Sequence, residues 1–261
     1  MTAAPPKLAL RDIAKSFPTR AGPLNVLDGL SFDVAAGDFV SIVGPSGCGK
    51  TTIFNIIAGL LAPDRGILAF DGVPIAGLRG RVGYMMQKDL LLPWRTVLGN
   101  VVLGLELRGV AAAEAADRAR RYLGLYGLAG FENAYPRALS GGMRQRAALI
   151  RTLIVDPDIL LLDEPFSALD YQTRLYLEGV LIDAVAEFKK TVILVTHDID
   201  EAVALSRRVI VLNRRPATVR AIHDIDIGRQ SPVAARGHPE FRSYFKILCN
   251  ELEIQTGRGG E

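Results

Sequence analysis

Gly44-Pro45-Ser46-Gly47-Cys48-Gly49-Lys50-Thr51-Thr52 stands between an apolar run, Phe39-Val40-Ser41-Ile42-Val43, and a helical one from Ile53 to Leu61. The order is strand, loop, helix. In that context the spacing GxxxxGK[ST] is that of a phosphate loop: glycines let backbone N–H groups wrap phosphate oxygens, a lysine reaches the outer phosphates and a hydroxyl meets Mg2+. A helix beginning near Lys50 adds the positive end of its dipole at the same point. The alternative is a tight turn built by Gly44, Gly47 and Gly49 with Lys50 as a solvated charge, which leaves most of the constrained pattern unexplained. By itself the loop implies only that a nucleotide is bound, because several enzyme classes use it.

The remaining composition narrows the class. With 261 residues, 49% hydrophobic and 23% charged, the chain can bury a full core. A net charge of +3, with Lys and Arg spread along the chain, gives no argument for nucleic acid. Arg207-Arg208 and Arg214-Arg215 read as solvated faces. Two cysteines, Cys48 and Cys249, build no disulfide framework and suit a reducing cytosol. The N-terminus is polar and proline-broken, and no uncharged apolar run approaches the ~18 residues of a membrane span, so a soluble chain is expected. Cys48 lies inside the loop, where modification of its thiol is expected to block nucleotide binding.

Along the chain, strand signals fall at Leu8–Leu10, Leu30–Val34, Phe39–Val43, Ile67–Phe70 and Arg81–Met86, with turn residues Asp71-Gly72 between the last two. Residues 96–155 carry few strand signals and include an Ala/Glu/Arg-rich stretch, Ala111 to Tyr122, which reads as a helical insertion. Strands return at Ile159–Leu162 and Val192–Val195. Between them Leu177, Leu181, Ala184 and Phe188 recur at helical spacing. Both strands are nearly all apolar, as in a parallel sheet buried on both faces. Residues 228–237 read as a linker before a packing helix, Glu240 to Ile254, with Phe241, Phe245, Leu248 and Leu252 on one stripe.

Two further motifs carry chemistry. Ile159-Leu160-Leu161-Leu162-Asp163-Glu164 is an apolar strand running into two carboxylates, which are costly to bury unless metal or hydrogen bonds satisfy them. Asp163 is placed to hold Mg2+ through water, and Glu164 to orient or deprotonate the water that attacks the γ-phosphate. The plainer reading is an acidic cap on the next helix. Leu139-Ser140-Gly141-Gly142-Met143 presents a hydroxyl and bare backbone at a helix start, a second anion site. His197, in Thr196-His197-Asp198, follows a strand and precedes an acidic helix start, where a lone histidine is more often structural.

With these motifs in order, the chain resembles the ATP-binding cassettes, the nucleotide-hydrolysing subunits of ABC transporters, from about residue 8 to 219. The matching residues are the Walker A loop Gly44 to Thr51, the Q-loop Gln87, the signature Leu139 to Met143, Walker B through Asp163 with Glu164, the D-loop Ser167-Ala168-Leu169-Asp170 and the switch His197. The resemblance implies an α/β fold, the P-loop NTPase nucleotide-binding domain of the ABC type. That fold has a mixed sheet core, an antiparallel β subdomain and an inserted helical subdomain. Its expected bounds are 1–227, with the helical part at about 96–155, followed by a linker and C-terminal helix over 228–261. ATP is expected on Phe17, Gly44, Pro45, Ser46, Gly47, Cys48, Gly49, Lys50, Thr51, Thr52, Gln87, Ser140, Gly141, Gly142 and Asp170. Mg2+ is expected on Thr51, Gln87 and, through water, Asp163, with Glu164 and His197 catalytic. Met143 replaces the glutamine that many cassettes carry, and Phe17 stands for the tyrosine that often stacks on adenine.

Because each motif occurs once, the resemblance implies a homodimer in which the signature of one copy closes over the Walker A loop of the other. A single cassette of this kind is similar to importer subunits, which act on the cytoplasmic face of the cell membrane with integral permease subunits and, indirectly, an extracytoplasmic solute-binding protein. The run Leu91-Leu92-Pro93-Trp94 after the Q-loop resembles the nitrate, sulfonate and taurine importer group, and it lies where a permease helix docks in that family. A core aromatic is the plainer reading of Trp94. A pyrimidine precursor as solute, or a soluble ATPase not coupled to transport, stays open.

Overall fold

The computed structural model describes residues 5–167, 169–188, 190–228 and 231–253. In chain order the elements are β1 (Leu8–Thr19), β2 (Gly22–Val34), β3 (Phe39–Val43), α1 (Lys50–Ile57), β4 (Arg65–Phe70), β5 (Val73–Ile75) and β6 (Val82–Met85). They continue with α2 (Val97–Val101), α3 (Leu103–Leu107), α4 (Ala112–Leu125), α5 (Gly141–Leu153), β7 (Ile159–Asp163), α6 (Tyr171–Phe188) and β8 (Thr191–Val195). Last come α7 (Ile199–Leu205), β9 (Arg208–Leu212), β10 (Val219–Asp224), α8 (Pro232–Arg236) and α9 (Phe241–Glu251). These elements form two compact units, one drawn from Met1–Arg79 and Phe188–Glu261, the other Gly80–Glu187.

The first unit holds an antiparallel sheet in the order β2-β1-β4-β5. Its hairpin is longer than the sequence suggests, because β1 and β2 continue through residues that read as turns. Asp12 (φ 51°) and Gly29 (φ 67°) take left-handed backbone where the register shifts, so bulges absorb them without ending the strands. Asp71 (φ 50°) and Gly72 (φ 79°) form the tight β4–β5 turn, the pairing of residue types that such hairpins require.

The same unit carries β3 in parallel register with β8 on one side and β9 on the other, and β10 antiparallel to β9. Every residue of β3 and β8 is buried, which is why both read as nearly all apolar, with Ser41 and Thr191 the polar exceptions. Helix α1 stops at Ile57, short of the expected Leu61. Gly59, at φ 73°, turns the chain while Leu60 N and Leu61 N both bond to Asn55 O.

Residues 228–237, read as linker, contain helix α8. Ser231 caps it by accepting from Ala234 N, and Pro232 occupies its first turn. Helix α9 buries Phe241, Leu248 and Cys249 against Ile199, Val203 and Val209, with Phe245 and Leu252 partly buried beside them. Its expected last residue, Ile254, lies outside the described residues.

In the second unit β6 and β7 pair in parallel, and the residues between them form the helices α2 to α5 with no strand among the described residues. Leu105, Ala119, Leu123, Ala147 and Ile150 are buried there. Trp94 is 71% exposed, which removes the core reading of that residue.

Because Leu248 is fully buried, Leu248→Ala is expected to cost about 2–5 kcal/mol. Urea unfolding of the isolated chain measures this, and a change below about 1 kcal/mol would mean that α9 does not pack as described.

Candidate functional site

Parallel pairing sets where the chemistry emerges. In the first unit Ile42 is opposite Val195, so Gly44 and His197, each two residues further on, leave the sheet at the same end. Val43 opposite Val211 brings Leu212 level with Gly44. A Cβ on Gly44 would stand 3.0 Å from Leu212 Cβ, and one on Gly49 (φ 126°) would stand 2.9 Å from both Val26 Cγ1 and Leu27 Cδ2. These two glycines are demanded by close approach and, for Gly49, by backbone sign.

Helix α1 then starts without a side-chain cap, which leaves its N-terminus for an outside anion. Lys50 is buried, and its Nζ donates to Gly44 O at 2.8 Å and Pro45 O at 3.1 Å. Ser46, Gly47 and Thr51 are exposed, while Pro45, Gly49 and Thr52 are half-buried. Cys48 is 2% exposed, and burial pushes its thiol up against the opposing charges of Lys50 and Arg215. A buried thiol held above its ordinary range presents little thiolate at neutral pH, so its modification is slow.

His197 is exposed, and its neighbours are fixed by a short network. Asp198 caps α7, its Oδ1 accepting from Glu201 N at 3.2 Å. Asp198 N donates to Thr196 Oγ1 at 3.0 Å, and that hydroxyl donates to the buried Glu201 carboxylate. Asp198 is a residue type that caps helices, and Thr196 stands between its N–H and the Glu201 carboxylate. Sequence reading singled out only the histidine between Thr196 and Asp198.

In the second unit Met85 is opposite Leu162, which brings Gln87 level with Glu164. Gln87 Nε2 donates to Glu164 Oε2 at 3.0 Å. Glu164 adopts φ 47°, the left-handed region that a non-glycine residue enters at a cost of order 1–3 kcal/mol. Ser167 N and Oγ bond to the Glu164 carbonyl at 3.3 and 3.0 Å and fold the chain there. Asp163, at the end of β7, is buried; the Tyr84 hydroxyl is pushed well up, first by its own burial and then by the Asp163 charge.

Ser140 caps α5, accepting from Met143 N at 3.3 Å, so the residue that departs from the usual signature contributes only its backbone here. Gly142 leaves no room for a Cβ, which would meet Thr173 Cγ2 at 2.8 Å. Arg144 donates to Asp89 Oδ2 at 3.2 Å and to Leu139 O at 2.8 Å. Arg151 donates to Asp89 O at 2.6 Å and Leu90 O at 2.8 Å. The segment after Gln87 is thus tied to the signature helix by two arginines that the motifs do not include.

Asp170, expected on ATP, accepts from Thr173 N at 3.0 Å and Thr173 Oγ1 at 2.7 Å, which hold its carboxyl below the usual range. It serves the start of α6. Its D-loop neighbour Ala168 lies outside the described residues. Phe17 is half-buried opposite Leu24, with Lys15 Nζ 5.8 Å from its ring centroid. Arg215, read as a solvated charge, bonds to Gly47 O.

The sequence profile of the ABC transporter family matches residues 27–167. The chain is 44% identical over 250 residues to an uncharacterised ABC transporter ATP-binding protein of Methanocaldococcus jannaschii, spanning 96% of this chain and 92% of that protein. It is 38% identical over 255 residues to the taurine import ATP-binding protein TauB of Burkholderia pseudomallei, spanning 96% and 98%. Among solved structures it is similar to the dimeric bacterial ABC transporter cassette MJ0796, with a TM-score of 0.77, 32% identity and coverage of 84% of this chain and 98% of that one. The same cassette in a post-hydrolysis state bound to ADP and Pi gives a TM-score of 0.76. The chain belongs to the ABC transporter family. It is an ATP-binding cassette of that family and an ATPase.

Both cysteines are buried with their thiols raised by burial. Labelling of the nucleotide-free chain by a thiol–disulfide reagent at pH 7 is expected to run at least about tenfold below an exposed thiol and to quicken as pH rises and thiolate forms. Rapid stoichiometric labelling of Cys48 at pH 7 would show that the phosphate loop opens.

Proposed function

We propose that this cassette hydrolyses ATP as a homodimer to drive import of a small sulfonate-type anion, such as taurine, through membrane permease subunits supplied by a solute-binding protein. The observation that carries the reading is the identity to a taurine import subunit over nearly the whole of both chains. The exposed Trp94 and Leu90 supply the apolar contact that a permease requires. Nitrate and small organic solutes are tested against it. Among the described residues no helix is long and apolar enough to cross a membrane, so the chain's place at the cytoplasmic face of the membrane depends on that contact.

The residues divide the work. Residues 44–52, through the backbone N–H groups that all but Pro45 carry, and the Lys50 ammonium take the phosphates, Ser140, Gly141 and Gly142 of a second copy close over the γ-phosphate, and Phe17 stacks on adenine. Asp170 acts indirectly, by fixing the start of α6. Thr51, Gln87 and Asp163 offer hydroxyl, amide and carboxylate oxygens, the hard donors that Mg2+ takes, and their chemistry fits that ion. Bound there, Mg2+ would neutralise phosphate charge. Glu164 orients the attacking water and accepts its proton, with Gln87 holding the carboxylate in place. His197, held at a fixed backbone position by Thr196 and Asp198, donates toward the γ-phosphate.

Glu164→Gln is expected to keep ATP affinity, accumulate an ATP-bound dimer on size exclusion and lower turnover by ~10²–10⁴-fold. Turnover at the parental rate would remove Glu164 from the base role. For the solute, the purified receptor partner is screened by thermal shift against taurine, alkanesulfonates and nitrate; a shift with none of the sulfonates overturns that assignment.

A further inference from the structure

Arg215 sits in the connection between β9 and β10, and that connection is built as a bracket. Asn213 Nδ2 donates to Thr218 Oγ1 at 2.7 Å, Thr218 N donates to Asn213 Oδ1 at 2.8 Å, and Asn213 N to Thr218 O at 3.3 Å. The segment is then pinned to β2, with Ala217 N on Val26 O at 2.8 Å and Asp28 N on Ala217 O at 3.2 Å. Val26 and Leu27 of that same stretch are the side chains that crowd Gly49. The bracket and the phosphate loop therefore share one support.

From this bracket the Arg215 guanidinium reaches Gly47 at the exposed tip of the loop. Nε and Nη2 both donate to Gly47 O, at 3.1 and 2.7 Å. The other end of the same peptide is also fixed, since Cys48 N donates to Pro45 O at 3.2 Å. A peptide is a rigid plane, so holding it at its carbonyl and at its N–H fixes the orientation of that plane. With Lys50 on Gly44 O and Pro45 O, the carbonyls of three loop residues are engaged by cations. That arrangement turns acceptors away from an incoming anion.

We propose that Arg215 is a positioning residue of the nucleotide site, holding the Gly47–Cys48 peptide in the orientation that receives polyphosphate. The inference rests on the reading that residues 44–52 bind the phosphates of ATP. Arginine suits the task because its planar fork places two donors on one oxygen; lysine keeps the charge and loses the fork.

The test uses the full chain and mant-ATP with magnesium, read as equilibrium affinity and as KM against kcat. Arg215→Ala and Arg215→Gln are expected to weaken mant-ATP binding about tenfold, the scale of a lost hydrogen bond to a charged group. Arg215→Lys is expected to recover only part of the loss, and kcat at saturating ATP to fall by less than about threefold, so the defect lies in KM. The melting temperature of nucleotide-free protein should move little, since the side chain is exposed. Affinity within about twofold of the parent in both Ala and Gln variants overturns the proposal, as does full recovery by lysine, which would reduce the effect to charge alone. Should the Ala variant fail to fold, the Gln and Lys variants decide. Failure of the parent itself to bind mant-ATP would instead refute the phosphate reading of the loop.

Discussion

The structure turns on one constraint: a stretch of backbone between β3 and α1 must keep its N–H groups available to an anion without collapsing onto them itself. Carbonyls compete for those donors and must be held elsewhere. Lys50 holds two of them and Arg215 a third. The same demand explains the crowding at Gly44 and Gly49, where Leu212, Val26 and Leu27 press so close that no Cβ fits. Packing on the outside of the loop is what keeps its inside open. Lys50 is accordingly a structural cation before it is a ligand-binding one, because its burial is tolerated through the two carbonyls it meets.

Parallel strands extend this constraint into a site. Since neighbouring parallel strands point the same way, residues equally far past a register pair arrive together, and the pairs Ile42–Val195 and Met85–Leu162 each deliver two functional residues to one end. No side-chain attraction is needed to bring Gln87 to Glu164; the ladder does so, and the 3.0 Å hydrogen bond then orients the carboxylate. The left-handed backbone of Glu164 belongs to the same logic. A strand that ended without that turn would carry the carboxylate onward with the chain, whereas the turn, braced by Ser167 and by Gln145 Nε2 on Pro165 O at 2.6 Å, stops it beside Gln87.

What the sequence made legible follows from locality. The phosphate loop, the two carboxylates after β7, the Ser-Gly-Gly helix start and the histidine after β8 are each contiguous, so their residue types and spacing declare the chemistry. The buried parallel strands were equally plain, since both faces need apolar residues and the runs are nearly all apolar. Arg215 was not legible, because it lies 168 residues from the carbonyl it holds and an arginine pair looks like any solvated surface. Arg151 acts on backbone oxygens of residues 89 and 90, a contact without a sequence partner type, and Arg144 meets the Asp89 carboxylate from 55 residues away. The long β1–β2 hairpin was hidden for the opposite reason: its bulges use the same Asp and Gly that end strands elsewhere. Helix α8 carried a readable signal, Ser231 before Pro232, inside a stretch whose glycines suggested a linker.

The distribution of exposure across these groups separates gripping from closing. Lys50, Cys48 and Asp163 are buried; Lys50 meets two loop carbonyls and Cys48 N donates to Pro45 O. Thr51, Gln87, Ser140, Gly141 and His197 are exposed and polar. A polar group at the end of a strand or helix is already hydrated, so a ligand gains from it only if water is displaced by something that replaces its hydrogen bonds. Phosphate oxygens do this for N–H and hydroxyl donors, and a second copy presenting its own signature would complete the exclusion of water. Ser140 illustrates the arrangement: its hydroxyl already accepts from Met143 N at 3.3 Å, which leaves its proton to donate outward. A donor fixed by its own helix and directed at solvent suits capture of an anion carried by another chain better than stabilisation of its own.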